Sequence, residues 1–375
     1  LPNENCKEED MKVPIISARG APYDLGFQHG SQAKKAIEDN VRFYMSLWER
    51  FGGSRREEIL KEIQGFVPYI EECDPEILEE LRGVAEGSGL RFEEILSLNA
   101  RTEVTFACLP NAMQNSTLEG CTSFALLPEA TQNQHMYIGQ NWDWRAEAEN
   151  SCIILKLHQK DKPDIIMHAE AGTIGHRGFN SAGMGVCINY IRCETDTFKL
   201  GLPFLIKLRA ALNSTNLPDC LKMLLTFVGP NSMNMVIAHR EGEAIDAENT
   251  PNDVLFLYPE GGILTHANHF QSPNLRVRDT GKSTLPDTIF RSNRAFRLFD
   301  ERKGRLGWDT IKEVLTDHFG HPNSICRHRD ERYELIDQWE TLCSTIMDLS
   351  EGKMLYTEGP PCSNPYKTIA MDDQS

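Results

Sequence analysis

The chain of 375 residues has little that would place it in a membrane, on nucleic acid or around a metal. No apolar run approaches the roughly 20 residues that span a bilayer. Basic residues form only short patches such as Arg327-His328-Arg329, and the net charge is −16. A phosphate backbone is recruited by clustered Lys and Arg, so nucleic acid is an unsuitable partner. Eleven cysteines are scattered from Cys6 to Cys362 with no CxxC pair, so neither a zinc site nor a disulfide framework is legible. His135, His158 and His168 lack ligand spacing too, and no metal is expected. Gly172, Gly175, Gly178, Gly183 and Gly185 lack the Lys-Ser/Thr ending of a phosphate loop and the strand-then-helix context of a dinucleotide fold. They read as tight strand turns, with no cofactor. Leu1 to Met11 is polar and acidic, without the charged-then-apolar form of a secretory signal. The expectation is a cytoplasmic protein with reduced thiols.

What is present is an ordinary globular composition, 40% apolar and 25% charged. Apolar residues recur at helical spacing from Lys34 to Leu98: Ile37, Val41, Tyr44 and Trp48, then Ile59, Ile63, Phe66 and Val67, then Ile77, Leu78, Leu81 and Val84. The helical period is expected to end at Asn99 to Glu103, with Arg101 and Glu103 forming an internal ion pair or touching substrate. Cys108 to Glu119 is polar and aperiodic, and reads as a loop. Strands follow at Phe124 to Leu127, Met136 to Gly139, Cys152 to Leu157, Ile165 to His168 and Val186 to Ile191. Helices are expected at Pro203 to Leu212 and Pro218 to Phe227. A second strand group covers Met233 to His239, Glu243 to Asp246, Val254 to Leu257 and Ile263 to His266. Helices at Thr288 to Glu301 and Thr310 to His318 precede a last hairpin, Thr345 to Leu349 with Met354 to Thr357. Strands bunched between helical runs predict two sheets packed face to face with helices outside. No repeat or linker divides the chain, so residues 1–375 are expected to form a single domain.

One junction carries chemistry. In Leu118-Glu119-Gly120-Cys121-Thr122-Ser123 a Gly precedes a Cys that opens an apolar strand. Self-cleavage there would place a thiol and a free α-amine on one residue, and an amine of pKa about 7.7–8.0 can serve as the thiol's base. The plain alternative is a buried core Cys. Other motifs add to the signal: Gly139-Gln140-Asn141-Trp142-Asp143, Glu170-Ala171-Gly172-Thr173-Ile174-Gly175, Gly178-Phe179-Asn180-Ser181-Ala182-Gly183, Thr265-His266-Ala267-Asn268-His269 and Ser324-Ile325-Cys326-Arg327. In this order, from about Arg19 to Pro361, the chain resembles the isopenicillin-N acyltransferase family of N-terminal-nucleophile hydrolases.

The resemblance implies an α+β fold, a four-layer αββα sandwich, autocleaved into 1–120 and 121–375 that stay associated. It implies Cys121 as nucleophile, Asn268 as oxyanion donor and Asp143 as the residue that holds the Cys121 amine or orients the substrate amine. Without it, Asn268 is a strand-end amide and Asp143 a turn former. Thr122 and Ser123 would assist proton transfer during self-cleavage, and Thr250 stands where the family's penicillin enzyme has a site Ser. That enzyme's Ser-Arg pair falls on Asp337 and Gln338, with Arg332 upstream, so its Arg role is left open. Asp287, Arg291 and Arg294 read as structural, and His29 as either a helix-packing residue or a base. The chain ends Asp372-Asp373-Gln374-Ser375, not in a peroxisomal signal, and its acidity suits a cationic substrate. The expected activity is hydrolysis of an N-acyl or β-alanyl amine, such as β-alanyl-dopamine or β-alanyl-histamine. Acyl-CoA-dependent N-acyl transfer and a non-catalytic binding protein on the same fold are the alternatives.

Overall fold

The computed structural model describes residues 11–52, 56–108, 120–334 and 338–371. Strand β1 (Ile15–Gly20) leads into helices α1 (Pro22–Gln32), α2 (Lys34–Gly52), α3 (Arg56–Glu62), α4 (Val67–Cys73), α5 (Pro75–Ser88), α6 (Phe92–Asn99) and α7 (Arg101–Cys108). Sequence chemistry sets their ends. The Asp74 carboxylate accepts from the Glu76 N–H at 3.1 Å and Pro75 opens α5, while Gly89, at φ 72°, closes it. Helices α1 and α5 touch backbone to backbone: a Cβ on Gly26 would lie 1.9 Å from the Glu80 carbonyl oxygen, and one on Gly83 2.2 Å from that of Tyr23. The break between α6 and α7 is pinned by Asn99, whose side chain donates to the Ile95 and Gly172 carbonyls and accepts from the Ile174 N–H. The helical run therefore continues as α7 where an ending was expected.

Next come β2 (Gly120–Leu126), β3 (Tyr137–Arg145), β4 (Cys152–Gln159), β5 (Ile165–Glu170), β6 (Gly178–Asn180) and β7 (Met184–Asn189). Helices α8 (Phe204–Asn213) and α9 (Leu217–Thr226) separate these from β8 (Met233–His239), β9 (Glu243–Asn249), β10 (Val254–Leu257) and β11 (Ile263–His266). Then follow α10 (Gly281–Thr284), α11 (Thr288–Asp300), α12 (Trp308–Leu315), β12 (Trp339–Asp348), β13 (Lys353–Glu358) and β14 (Lys367–Ala370). One sheet runs β1-β4-β5-β6-β7-β8-β9-β10 and the other β11-β2-β3-β12-β13-β14. Strand β1 joins β4 in parallel, whereas β2 pairs antiparallel with both β3 and β11.

Helices α1 and α8 cover the first sheet, β2 and β3 pack against its β7, and α11 and α12 cover the outer face of the second sheet. The layers are therefore αββα, as expected. Period-two alternation decides what each face of β2 and β3 meets. Cys121 and Ala125 join Ile138, Trp142 and Trp144 in the core between the sheets. Phe124, Leu126 and Tyr137 pack instead with Ala295, Phe299 and Ile311 beneath α11 and α12. Strand β3 runs through Asp143, beyond the Gly139 limit expected for it, and β12 begins six residues before the expected Thr345. Both extensions carry polar residues that are buried by partners distant in the chain, which local hydrophobic pattern does not register.

Candidate active site

Cys121 sits at the N-terminal end of β2, fully buried, opposite Trp142 of β3. Its side chain and that of Ser123 face the inter-sheet core, where the Ser123 hydroxyl meets Asn189 Oδ1 of β7. Thr122 faces the other way, toward α11. Gly120 is required by close approach: a Cβ there would lie 2.9 Å from Asp143 Oδ2 and 3.1 Å from Asp143 Cβ. The residue before the Cys is thus pressed against Asp143.

Asn268, just past β11, meets Cys121 directly. Its Oδ1 accepts from the Cys121 backbone N–H at 2.8 Å and from Arg291 Nη2 at 2.7 Å. Its Nδ2 donates to the Tyr190 carbonyl at 2.9 Å. Two donors on one side and an acceptor on the other fix the amide's orientation. Three further contacts hold the loop. Thr288 Oγ1 accepts from the Asn268 N–H at 2.6 Å. His266 Nδ1 donates to the Ala267 carbonyl at 2.7 Å and Nε2 to Glu248 at 2.9 Å. With acceptors at both ring nitrogens His266 is an imidazolium: burial works against that charge, but Asp246 and Glu248 outweigh it and raise its pKa.

Arg291, on α11, is the residue whose role the sequence understated. Nη1 donates to the Cys121 carbonyl at 2.5 Å and to Thr122 Oγ1 at 2.9 Å, while Nε pairs with Asp287 at 2.7 Å. Asp287 also accepts from Arg327 Nη2, and Arg327 Nε reaches Asp143 Oδ2 at 3.2 Å. Thr341 donates to the other oxygen of Asp143 at 2.7 Å. The result is a buried chain of alternating charge, Asp143, Arg327, Asp287, Arg291, ending on Asn268 and the Cys121 peptide. Burial pushes the Asp143 pKa up, and the Arg327 and Arg291 cations pull it back. Asp143 lies within a strand, so the turn-former reading fails. It contacts the Gly120 side of the junction, while Asn268 holds the Cys121 nitrogen. The signal for Arg327 was its place in Ser324-Ile325-Cys326-Arg327, and for Arg291 its spacing of four from Asp287 on a helix.

Other expected residues lie elsewhere. Thr250 caps the β9–β10 turn, its hydroxyl accepting from the Asp253 N–H at 3.0 Å. Arg332 is exposed and paired with Asp330, Gln338 donates to the Tyr333 carbonyl, and Asp337 lies outside the described residues. The predicted loop ending at Glu119 is likewise outside them from residue 109 onward. His29 is buried and accepts from the Gly172 N–H at 3.1 Å, with its pKa lowered to about 4 by burial. Its role is packing. Arg101 pairs with Glu170 at 2.9 Å. Cavities of about 470 and 480 Å³ lie on α2 with the 147–151 turn and beside Cys152 with Tyr356. Neither is lined by Cys121, Asp143, Asn268 or Arg291.

The αββα sandwich is of the N-terminal-nucleophile hydrolase type in its fold, with a Cys at the head of a central strand. Within it, the chain belongs to the acyl-coenzyme A:6-aminopenicillanic acid acyl-transferase family, whose model matches residues 130–362. That span holds Asp143, Asn268, Asp287, Arg291 and Arg327, and begins downstream of Cys121. The chain is 27% identical over 366 residues to the acyl-coenzyme A:6-aminopenicillanic-acid-acyltransferase 40 kDa form of Emericella nidulans, covering 95% of each. An uncharacterized protein of Archaeoglobus fulgidus is 21% identical over 235 residues, 56% of this chain and 38% of that one. Among solved structures, a mutant conjugated bile acid hydrolase from Clostridium perfringens aligns at 15% identity and TM-score 0.47, over 68% of this chain and 93% of that one. Penicillin V acylase from Agrobacterium tumefaciens aligns at 10% and 0.44, over 67% and 86%. The family is one of acyl-transferring enzymes, so the non-catalytic alternative gives way. Among the described residues no helix is long and apolar enough to cross a membrane.

Proposed function

We propose that the chain cuts itself between Gly120 and Cys121 and that Cys121 then cleaves small N-acyl or β-alanyl amine conjugates through a thioester. The carrying observation is the hold on the junction: Asn268 Oδ1 on the Cys121 nitrogen at 2.8 Å and Arg291 on its carbonyl. In the first step the thiol attacks the Gly120 carbonyl and the acyl group moves from nitrogen to sulfur. Water then hydrolyses the thioester, leaving a Gly120 carboxylate and a free Cys121 amine. That amine keeps its Asn268 acceptor and becomes the base for the thiol. Departure of Gly120 uncovers Asp143 and Arg327, and the space it leaves takes the substrate's acyl end. Residues 1–120 supply β1 and the helices α1 to α7, whose apolar side chains belong to the main core. The two products therefore remain one folded body.

In the second reading acyl-CoA is the donor and an amine, in place of water, accepts the acyl group. It is favoured by the 27% identity over nearly the whole chain to an enzyme of that name. Intact mass and a substrate panel test both steps. Purified protein is expected as two fragments, 1–120 and 121–375, and Cys121→Ala as one uncut chain. The processed protein is then offered β-alanyl-dopamine, β-alanyl-histamine and simple acyl amines, and separately acyl-CoA with an amine. A Cys121→Ala chain that splits normally removes Cys121 as nucleophile. Conjugates left intact while acyl-CoA is consumed with the amine establish the second reading.

A further inference from the structure

Four ligand atoms from two connections, α12–β12 and β13–β14, converge around Arg327. They belong to His318, after α12, to Cys326 and His328, on the way to β12, and to Cys362, between β13 and β14, and all lie within 4.8 Å of one another. His328 Nε2 lies 3.6 Å from Cys326 Sγ, 3.4 Å from Cys362 Sγ and 3.0 Å from His318 Nε2. A neutral imidazole nitrogen has one lone pair or one proton, so it cannot satisfy three such neighbours by hydrogen bonding. A tetrahedral metal explains the convergence. With bonds of about 2.3 Å to sulfur and about 2.0–2.1 Å to nitrogen, the ligand atoms stand about 3.6 Å apart for sulfur and nitrogen and about 3.3 Å for two nitrogens. The observed separations fall close to those edges. His318 and His328 are ten positions apart, Cys326 and His328 two, and His328 and Cys362 34, which makes no recognisable motif, so the spacing of the cysteines gave no sign of it.

We propose that His318, Cys326, His328 and Cys362 form a Cys2His2 site for Zn²⁺. Mixed thiolate and imidazole ligands suit this borderline-soft ion, and a full protein shell makes the site structural, not catalytic. Binding displaces one proton from each thiol, giving a neutral complex of Zn²⁺ with two thiolates and two imidazoles. Holding Cys326 and His328 immobilises Arg327 between them, whose guanidinium bridges Asp143 and Asp287. The loop is already bound to the sheet there by the Arg327 N–H on Thr341 Oγ1, 2.9 Å, and the Thr341 N–H on the Arg327 carbonyl, 3.1 Å. Metal would extend that anchorage to the β13–β14 turn.

The test uses the full chain in reducing buffer, stripped with a chelator and titrated with Co²⁺ as a visible probe, then with Zn²⁺. It is run on Cys121→Ala so that the nucleophile and a freed amine cannot chelate. One Co²⁺ per chain is expected, with the intense visible bands of tetrahedral geometry and a thiolate-to-metal charge-transfer band. Zn²⁺ should displace it and raise the melting temperature. Cys362→Ser and His318→Ala alter exposed residues and leave the fold intact, so each should lose the spectrum and at least about tenfold in affinity. A weak octahedral spectrum overturns the proposal, as does binding that both substitutions leave unchanged. So does a Cys326–Cys362 disulfide that persists in the reducing buffer, seen as a mass two hydrogens light.

Discussion

In the proposed reaction the Asn268 amide would serve both halves. Its Oδ1 holds the Cys121 nitrogen, and Nδ2 has two hydrogens, of which Tyr190 accepts one. The second is what an oxyanion on the substrate's carbonyl carbon would accept in the transition state. Asn268→Ala is therefore expected to cut turnover by about 10²–10³, roughly 2.7–4 kcal/mol, with little change in substrate affinity. Steady-state kinetics of the processed variant decide this: near-normal kcat with raised KM would reduce Asn268 to a binding contact. Arg291 shares Asn268 Oδ1 and grips the Cys121 carbonyl, and it is fully buried. A cation there persists because Asp287 neutralises it, since breaking a buried pair from one side typically costs about 3–5 kcal/mol.

Strand β2 is the element on which the proposed cleavage would be staged. It pairs with β11 from Ser123 to Leu126 and with β3 from Gly120 to Leu126, so β3 holds its N-terminal end in register while, in the proposed cleavage, the chain before it would leave. Gly120 belongs to the strand and leans on Asp143, with Arg327 Nε 3.4 Å from where a Cβ would be. Gly120→Ala forces that Cβ into the Asp143 carboxylate, and the strand pairing resists the shift that would relieve it. The expected outcome is a folded protein that processes at least about tenfold more slowly, since small displacements of reacting groups carry penalties of that order or more. A time course of the two fragments on a gel checks it. Processing at the normal rate would mean that the junction tolerates a side chain and that the Gly serves another purpose.

For the molecule as a whole, the helical layer is joined to the first sheet partly by buried ionisable groups. Burial raises the Glu103 pKa to about 7, against which the Phe204 N–H and the Arg101 and Lys207 cations act more weakly. Glu103 thus holds its proton in the folded chain while the unfolded chain releases it near pH 4.5. Its contribution is present in full below about pH 4.5 and is lost as pH rises to about 7. Glu103→Gln keeps an acceptor for Phe204 and cannot ionise, so melting temperatures taken from pH 4.5 to 7.5 should fall less steeply for the variant than for the parent. Parallel profiles would show that Glu103 does not govern the linkage. Two sheets packed face to face with helices outside were legible in the sequence because they follow from strand and helix periodicity, which local side-chain pattern encodes, while the four-layer count came with the family resemblance. Cys121, Asp143 and Asn268 were legible as a family pattern, and the structure brings all three to the head of β2. What the sequence by itself determined is therefore the layering and the candidate nucleophile. Only the tertiary structure decided that Arg291 and not Arg332 reaches the junction, that Asp143 stands on the Gly120 side, and that His318, Cys326, His328 and Cys362 meet. These depend on which strands pair and how loops far apart in sequence cross, and buried polar partners chosen across such distances leave no periodic trace in the chain.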